Sequence, residues 1–269
     1  MEVKGLFDYH IHTRYSVDGQ GEPEEFCNVA LTEELVEIGF SDHFDVNPED
    51  ASYGFFALEP YLTHVRRCQE TYEDRLKIRI GLEVGEPHNY STALETLLDR
   101  AQGAFDYLIG SVHWYNQMLI GNPAHFHQLS PRQSYHLYFE EVLRMVRHGG
   151  FQILGHLDLV SRYPINHPLV IKEHEEIIRE ILRTALAQGI VPEINLSGLR
   201  RKVSSSLPPQ EVLEWYRELG GDTIALGSDA HRPSEAGSLN RYGMELARQA
   251  GLRYVAAFSQ GELKPTLLP

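Results

Sequence analysis

Leu6-Phe7-Asp8-Tyr9-His10-Ile11-His12-Thr13 decides how the rest of the chain reads. Leu6 to Ile11 has the pattern of a short buried strand close to the N-terminus. Successive strand side chains alternate between faces, so His10 and His12 point to the same side at its end. Two neighbouring imidazoles can chelate a divalent cation, and Asp8, two residues earlier, is of a type that orients such ligands. A His-x-His on one strand is ordinarily nothing more than packed polar side chains. The same residue types recur, however, wherever a strand of similar character ends.

Candidate strands follow at Glu37–Ser41, Ile78–Glu83, Tyr107–Val112, Gln152–Leu154, Val191–Asn195 and Thr223–Leu226. Between them the apolar residues take a helical spacing. Ile177, Ile178, Ile181, Leu182 and Ala185 form a one-sided stripe, and Glu59–Arg75, Tyr90–Gln102, Arg132–Arg147, Pro209–Leu219 and Asn240–Ala250 are similar. Gly39, Gly149-Gly150, Gly189, Gly220-Gly221 and Gly251 fall where helices are expected to stop. Strands alternating with helices in one direction predict a parallel sheet, closed into a barrel or open and doubly wound. No linker or low-complexity tract divides the 269 residues, so residues 1–269 are expected to form one domain.

The composition narrows the function. With 42% hydrophobic and 23% charged residues the chain reads as soluble and globular. A net charge of -14 argues against gripping nucleic acid, whose binding needs basic surface. Cys27 and Cys68, without CxxC spacing, exclude a zinc ribbon or disulfide scaffold and suit a reducing, cytoplasmic setting. Met1–Gly5 is too short for a signal peptide ahead of the first strand. Tyr107–Pro131 lacks charged side chains, but its histidines, asparagines and glutamine rule it out as a bilayer-crossing helix.

Ligand-type residues mark the end of every predicted strand: His10 and His12 with Asp18 behind them, then Ser41-Asp42-His43 and Glu83. His113, Gly155-His156-Leu157-Asp158, Glu193-Ile194-Asn195 and Gly227-Ser228-Asp229-Ala230-His231 continue the series. Any one of these can be a satisfied core residue. Gathered at one rim without cations, so many imidazoles and carboxylates would cost several kcal/mol for each unpaired charge. A cluster of divalent metals removes that cost. Two such cations roughly 3.5–4 Å apart can share a hydroxide and make it an in-line nucleophile on phosphorus. Arg162 and Arg200 follow the fifth and sixth strands and offer planar forks for a phosphate, with Arg201 as an alternative to Arg200.

The set DxHxHT, SDH, GxE, GSVH, GHLD, ExN and GSDAH, running in order from Asp8 to His231, resembles the PHP (polymerase and histidinol phosphatase) family of metal-dependent phosphoesterases. That resemblance implies a distorted (β/α)7 barrel with two or three Zn, Fe or Mn ions at its C-terminal mouth. It places one metal on His10, His12, Glu83 and Asp229. A second would share Glu83 and add His113 and His156, and a third would take Asp18, His43 and His231. Many relatives have histidine where Asp18 stands. Glu83, Asp229 and His231 are the expected catalytic groups, and Arg162, Arg200 and His43 the expected substrate contacts. Asp8 and Asp158 would support the ligands from behind, and His125, His127 and His136 are given no role.

The length, the GSVHW and SGLR stretches and the long aromatic loop after His43 look like the stand-alone histidinol-phosphatase branch. The implied reaction is hydrolysis of L-histidinol phosphate in histidine biosynthesis. The Phe44–Pro60 loop would contact the substrate's ammonium and imidazole, and Trp114–Pro131 is a second long loop at the same mouth. Nucleotides or phosphotyrosine are the alternative substrates. A C–N hydrolase of the amidohydrolase type, or a non-catalytic barrel, fits less well, since Glu83 occupies the bridging position and no ligand is missing. The implied partner is a small phosphomonoester, with no nucleic acid and no membrane; a homo-oligomer is left open.

Overall fold

The computed structural model describes residues 5–127, 129–163, 168–201 and 205–268. The signal-peptide expectation rests on residues 1–4 and lies outside them. In chain order the elements are β1 (Leu6–Asp8), α1 (Pro23–Thr32), β2 (Leu35–Phe40), β3 (His43–Phe44), α2 (Leu58–Tyr72) and β4 (Lys77–Gly85). Then come α3 (Ser91–Ala101), β5 (Tyr107–Ser111), β6 (Trp114–Tyr115), β7 (Met118–Leu119), α4 (Pro131–His148) and β8 (Ile153–Leu154). The remainder is α5 (Glu175–Gln188), β9 (Val191–Asn195), α6 (Gln210–Glu218), β10 (Thr223–Gly227), α7 (Asn240–Gln249), β11 (Tyr254–Ser259) and β12 (Glu262–Leu267).

The main sheet runs β1-β2-β4-β5-β8-β9-β10-β11-β12, parallel throughout except for the antiparallel pair β11–β12. Its two halves curl towards each other. Tyr9 N–H donates to Leu226 O at 2.8 Å, His12 N–H donates to Ala230 O at 2.8 Å, and Ile11 bridges Ala230 in parallel. The segment after β1 thus meets the far end of β10, while β11 occupies the other half of that edge. The result is a distorted barrel of seven βα units, pinched at its C-terminal rim rather than closed by a full ladder.

The opposite end is plugged by aromatic side chains. Tyr9, Tyr107 and Phe258 are fully buried, with Tyr9 ring centroids 4.9 Å from Tyr107 and 5.6 Å from Phe258. Each buried ring of this size contributes about 1.5–3 kcal/mol. Tyr107 crosses the interior and donates its hydroxyl to Tyr9 O at 2.8 Å. A Cβ at Gly39 or Gly81 would come within 2.2 Å of that ring. Gly39 therefore ends no helix, contrary to the sequence expectation. It lies inside β2, where only a missing side chain leaves room for Tyr107.

The predicted strands and six helices are all found, within a few residues at their ends. Some elements escape the periodicity, the two-residue β3 among them. α1 is announced by Pro23 at its first position and by Glu24 and Glu25 in its first turn. β11 and β12 form a hairpin whose turn residues, Gln260 and Gly261, both have positive φ, as a two-residue turn of this hand requires. The stretch without charged residues becomes β5, the small β6–β7 hairpin and a helical turn over Pro123–Phe126. Among the described residues no helix is long and apolar enough to cross a membrane.

Candidate metal centre

The C-terminal rim brings the strand-end residues together. β1 delivers His10 and His12, whose ring centroids lie 4.9 Å apart. β3 pairs with β4 so that His43 sits directly beside Glu83. Glu83 is fully buried at the centre. Its Oε2 is 3.3 Å from His10 Nε2, 3.4 Å from His12 Nε2 and 3.0 Å from His43 Nδ1. Its Oε1 is 2.9 Å from His156 Nε2 and 3.6 Å from His113 Nε2, and accepts from Ser111 Oγ at 2.6 Å.

Asp229 closes the other side, with Oδ1 3.5 Å from His12 Nε2, 4.0 Å from His10 Nε2 and 3.5 Å from His231 Nδ1. Asp18 lies at the rim, 3.1 Å from His231 Nε2 and 3.6 Å from His43 Nε2. The nine side chains expected from the sequence therefore meet in one place. Three triads can each converge on a single ion: His10–His12–Glu83, Glu83–His113–His156 and His12–His43–His231. A fourth, His43–Asp45–His113, adds an acid absent from the sequence expectation. Asp45 is buried, with Oδ1 3.0 Å from His113 Nδ1 and Oδ2 3.5 Å from His43 Nδ1.

The charges in this cluster are mutually dependent. Burial alone would lift Glu83, but His10 and His43 hold it well below the ordinary carboxylate range. Asp229 is held down in the same way by Arg162 and His10. Burial works against charge on His43, yet Glu83 and Asp45 raise it to about 9. His12 goes the other way, pushed well down by burial and by His43 and His231. His10 Nε2, His12 Nε2, His43 Nδ1 and Glu83 Oε2 are buried with no hydrogen-bond partner. All four adjoin the space around Glu83, and a buried polar atom left so is costly. Imidazole and carboxylate atoms converging here without a hydrogen-bond partner are, once the imidazoles give up their protons, what a divalent cation of the zinc, manganese or iron kind binds. The donor set fits the metals that the motifs imply.

A supporting layer fixes the rings. Glu193, 1% exposed, accepts from His10 Nδ1 at 2.7 Å through Oε1 and from the His156 N–H at 2.9 Å through Oε2. His12 Nδ1 contacts Ser16 Oγ at 3.2 Å, and Ser16 donates to Asp42 at 2.8 Å. Glu86, which burial pushes up to about 8, receives the N–H groups of His113 and Trp114. Asp8 does not orient the His10 ring, as the sequence suggests it should. Its carboxylate instead takes the N–H groups of Ser228 and Gly237, each at 2.8 Å, and so anchors the turn carrying Asp229. Asp229 has φ +53°, a left-handed value uncommon outside glycine, and this anchorage holds it there. Asp158 is buried beside Ser161 and reaches no ring in the cluster.

Arg162 Nη2 donates to Asp229 Oδ2 at 2.6 Å and also meets Ser197 Oγ, while its Nε is buried without a partner. Arg200 Nη2 donates to Ser228 O at 2.6 Å and to Asp229 O at 3.1 Å. Arg200 is thus the arginine at the mouth, and Arg201 is exposed. Asp50 Oδ2 accepts from Trp114 Nε1 at 2.6 Å and ties the two long loops together. His125 is stacked on Tyr115 and His136 on His174, away from the cluster.

Residues 8–197 match the family model for the PHP domain. The chain belongs to the PHP family. Among curated proteins it is 29% identical to a histidinol-phosphatase of Lactococcus lactis, over 94% of each chain. It is 28% identical to a probable histidinol-phosphatase of Deinococcus radiodurans, over 98% of this chain and all of that one. The crystal structure of the Lactococcus lactis histidinol phosphate phosphatase, complexed with zinc, L-histidinol and phosphate, superposes with a TM-score of 0.88. That likeness is at 26% identity and covers 97% of this chain and 99% of the other.

Proposed function

We propose that this PHP protein is a divalent-metal-dependent phosphomonoesterase that hydrolyses L-histidinol phosphate to L-histidinol and inorganic phosphate. The observation that carries the reading is the buried ring of unpaired imidazole and carboxylate atoms around Glu83, flanked by Arg162 and Arg200. Relatives named as histidinol-phosphatases match it nearly end to end, and one of them was crystallised with zinc, L-histidinol and phosphate. We take residues 1–269 to act as a single unit.

His10, His12, Glu83 and Asp229 would hold one cation, Glu83, His113 and His156 a second, and Asp18, His43 and His231 a third. Asp45 stands ready to orient His43 and His113. When bound, such cations acidify water for attack on phosphorus and neutralise the charge that builds on the phosphoryl oxygens. The protein supplies the rest. Arg162 and Arg200 bind the terminal phosphate, and the unpaired Arg162 Nε is a donor free for one of its oxygens. Asp229 and His231 lie side by side at 3.5 Å on the rim, beside the place where the departing alkoxide oxygen would take up its proton. The acidic and aromatic Phe44–Pro60 loop faces the amine and imidazole of the substrate.

The test is turnover of the zinc- or manganese-loaded enzyme on a panel of phosphomonoesters. Histidinol phosphate should exceed nucleoside monophosphates and phosphotyrosine in kcat/KM by at least about tenfold, or about 1.4 kcal/mol. A preference for either competitor would overturn the substrate assignment.

A further inference from the structure

Outside the barrel mouth, one other cluster of metal-binding side chains lies between α1 and α2 among the described residues. Glu24 and Cys27 are three apart on α1, and His64 and Cys68 are four apart on α2. Each pair therefore shares one face of its helix. The helices are held together here, since Tyr72 on α2 donates to Asn28 on α1 at 3.0 Å. One ligand atom each from Glu24, His64 and Cys68 lies within 4.8 Å of the others, and His64 Nε2 is 2.8 Å from Glu24 Oε2. Cys27, fully buried, has its thiol against that of Cys68.

We propose that this cleft is a second, independent metal site for a zinc-class cation, bound by Glu24, His64 and Cys68, with Cys27 next to the fourth position. One thiolate, one imidazole and one carboxylate form a donor set that zinc accepts readily. Bonds of about 2.0–2.3 Å imply ligand separations of about 3.3–3.8 Å, so Glu24 and His64, now 2.8 Å apart, would open by about half an ångström, and no pair would need to close by more than about 1 Å. His64 is already turned for the purpose. Its Nδ1 contacts the Tyr15 hydroxyl at 3.0 Å, as the outer nitrogen of a metal-bound histidine usually does, and Nε2 faces the cluster.

Arg67 Nη2 sits 2.8 Å from His64 Nε2 and 2.5 Å from Glu24 Oε1. A guanidinium thus stands where the cation would, on a side chain 64% exposed that can swing into water. The buried sulfur atoms below and the half-exposed carboxylate above give the ion an entry path from the surface. The site lies on the outer helices α1 and α2, and none of its ligands is among the rim residues.

Cobalt(II) separates the two sites in the intact protein. The rim offers only nitrogen and oxygen ligands, so a thiolate-to-cobalt charge-transfer band in the near ultraviolet can arise only between α1 and α2. Metal-stripped wild-type protein titrated under reducing conditions with cobalt in excess of the rim sites should develop that band to the amplitude of one thiolate-bound cobalt per chain. Cys68→Ala should abolish the band, and His64→Gln should weaken cobalt binding at this site at least about tenfold. Cys68→Ala should keep wild-type phosphatase activity once the rim is reloaded. Absence of the band in wild-type protein overturns the proposal without recourse to any variant. So does a band that survives Cys68→Ala, or a mass lower by two hydrogens that shows Cys27 and Cys68 joined as a disulfide.

Discussion

Replacing Glu193 with glutamine tests whether the layer behind the metal ligands sets their affinity. Glu193 is an acceptor at both ends: Oε1 takes the His10 Nδ1 proton, and Oε2 takes the His156 N–H and Asn195 Nδ2 at 3.2 Å. Glutamine has the same shape but only one accepting oxygen. If that oxygen faces His10, an NH2 group is pushed against the His156 N–H, and a buried donor loses its partner at about 1–3 kcal/mol. If it faces His156, the NH2 asks His10 Nδ1 to accept, which moves the imidazole proton to Nε2, the nitrogen aimed at the metal. Either orientation weakens a ligand, and loss of the negative charge lowers the basicity of His10. The expected outcome is a 10- to 100-fold fall in metal affinity, about 1.4–2.8 kcal/mol. Zinc titration of metal-stripped protein against a competing chelator measures it, with circular dichroism confirming the fold. Wild-type affinity in Glu193→Gln would refute the reasoning. Gly227→Ala should act through the same group, because a Cβ there would lie 1.9 Å from Glu193 Oε1.

The remaining predictions concern the cluster and its mouth. Glu83→Gln removes the central charge that five imidazoles face and should abolish turnover while largely preserving the fold; activity retained within about tenfold would show that Glu83 does not bridge. Arg162→Ala should raise KM and lower kcat together, whereas a change in KM alone would make it a contact of the ground state only. Because His43 is raised to about 9 without metal, its proton must leave before its ring can bind. This one group makes metal affinity climb up to about tenfold per pH unit, levelling above about 9, and a pH-independent zinc affinity between about pH 7 and 8 would sink that account. The sign for folding is opposite. The stability that raised His43 lends the metal-free protein is full below its unfolded value near ~6.5 and lost as pH passes about 9, which urea unfolding of chelated protein at several pH values would show.

Much of this arrangement is legible in the amino-acid sequence alone, and the physical reason is the period of the strand. Buried parallel strands appear as short apolar runs, and a barrel places all their C-terminal ends on one rim, so position alone gathers His10, Glu83, His113, His156 and Asp229. Asp45 cannot be reached that way. It lies two residues beyond His43, in a loop whose path is fixed by β3 joining β4 and by Asp50 holding Trp114. Glu193 is visible as a strand-end acid, but not as the anchor of two histidines from different strands. Proximity in sequence assigns that role to Asp8, whereas its carboxylate reaches across the pinch to Ser228 and Gly237. Gly39 misleads because its meaning depends on Tyr107, far away in the chain.

The pinch between the segment after β1 and the end of β10 has a consequence for how the enzyme comes into being. His10 and His12 lie on one lip of that seam and Asp229 and His231 on the other, more than 200 positions apart along the polypeptide. Zipping the seam and completing the cation nest are one event. A chain emerging from the ribosome cannot hold its full metal complement until its last quarter has arrived, and an ion that then binds clasps the two ends of the ring together.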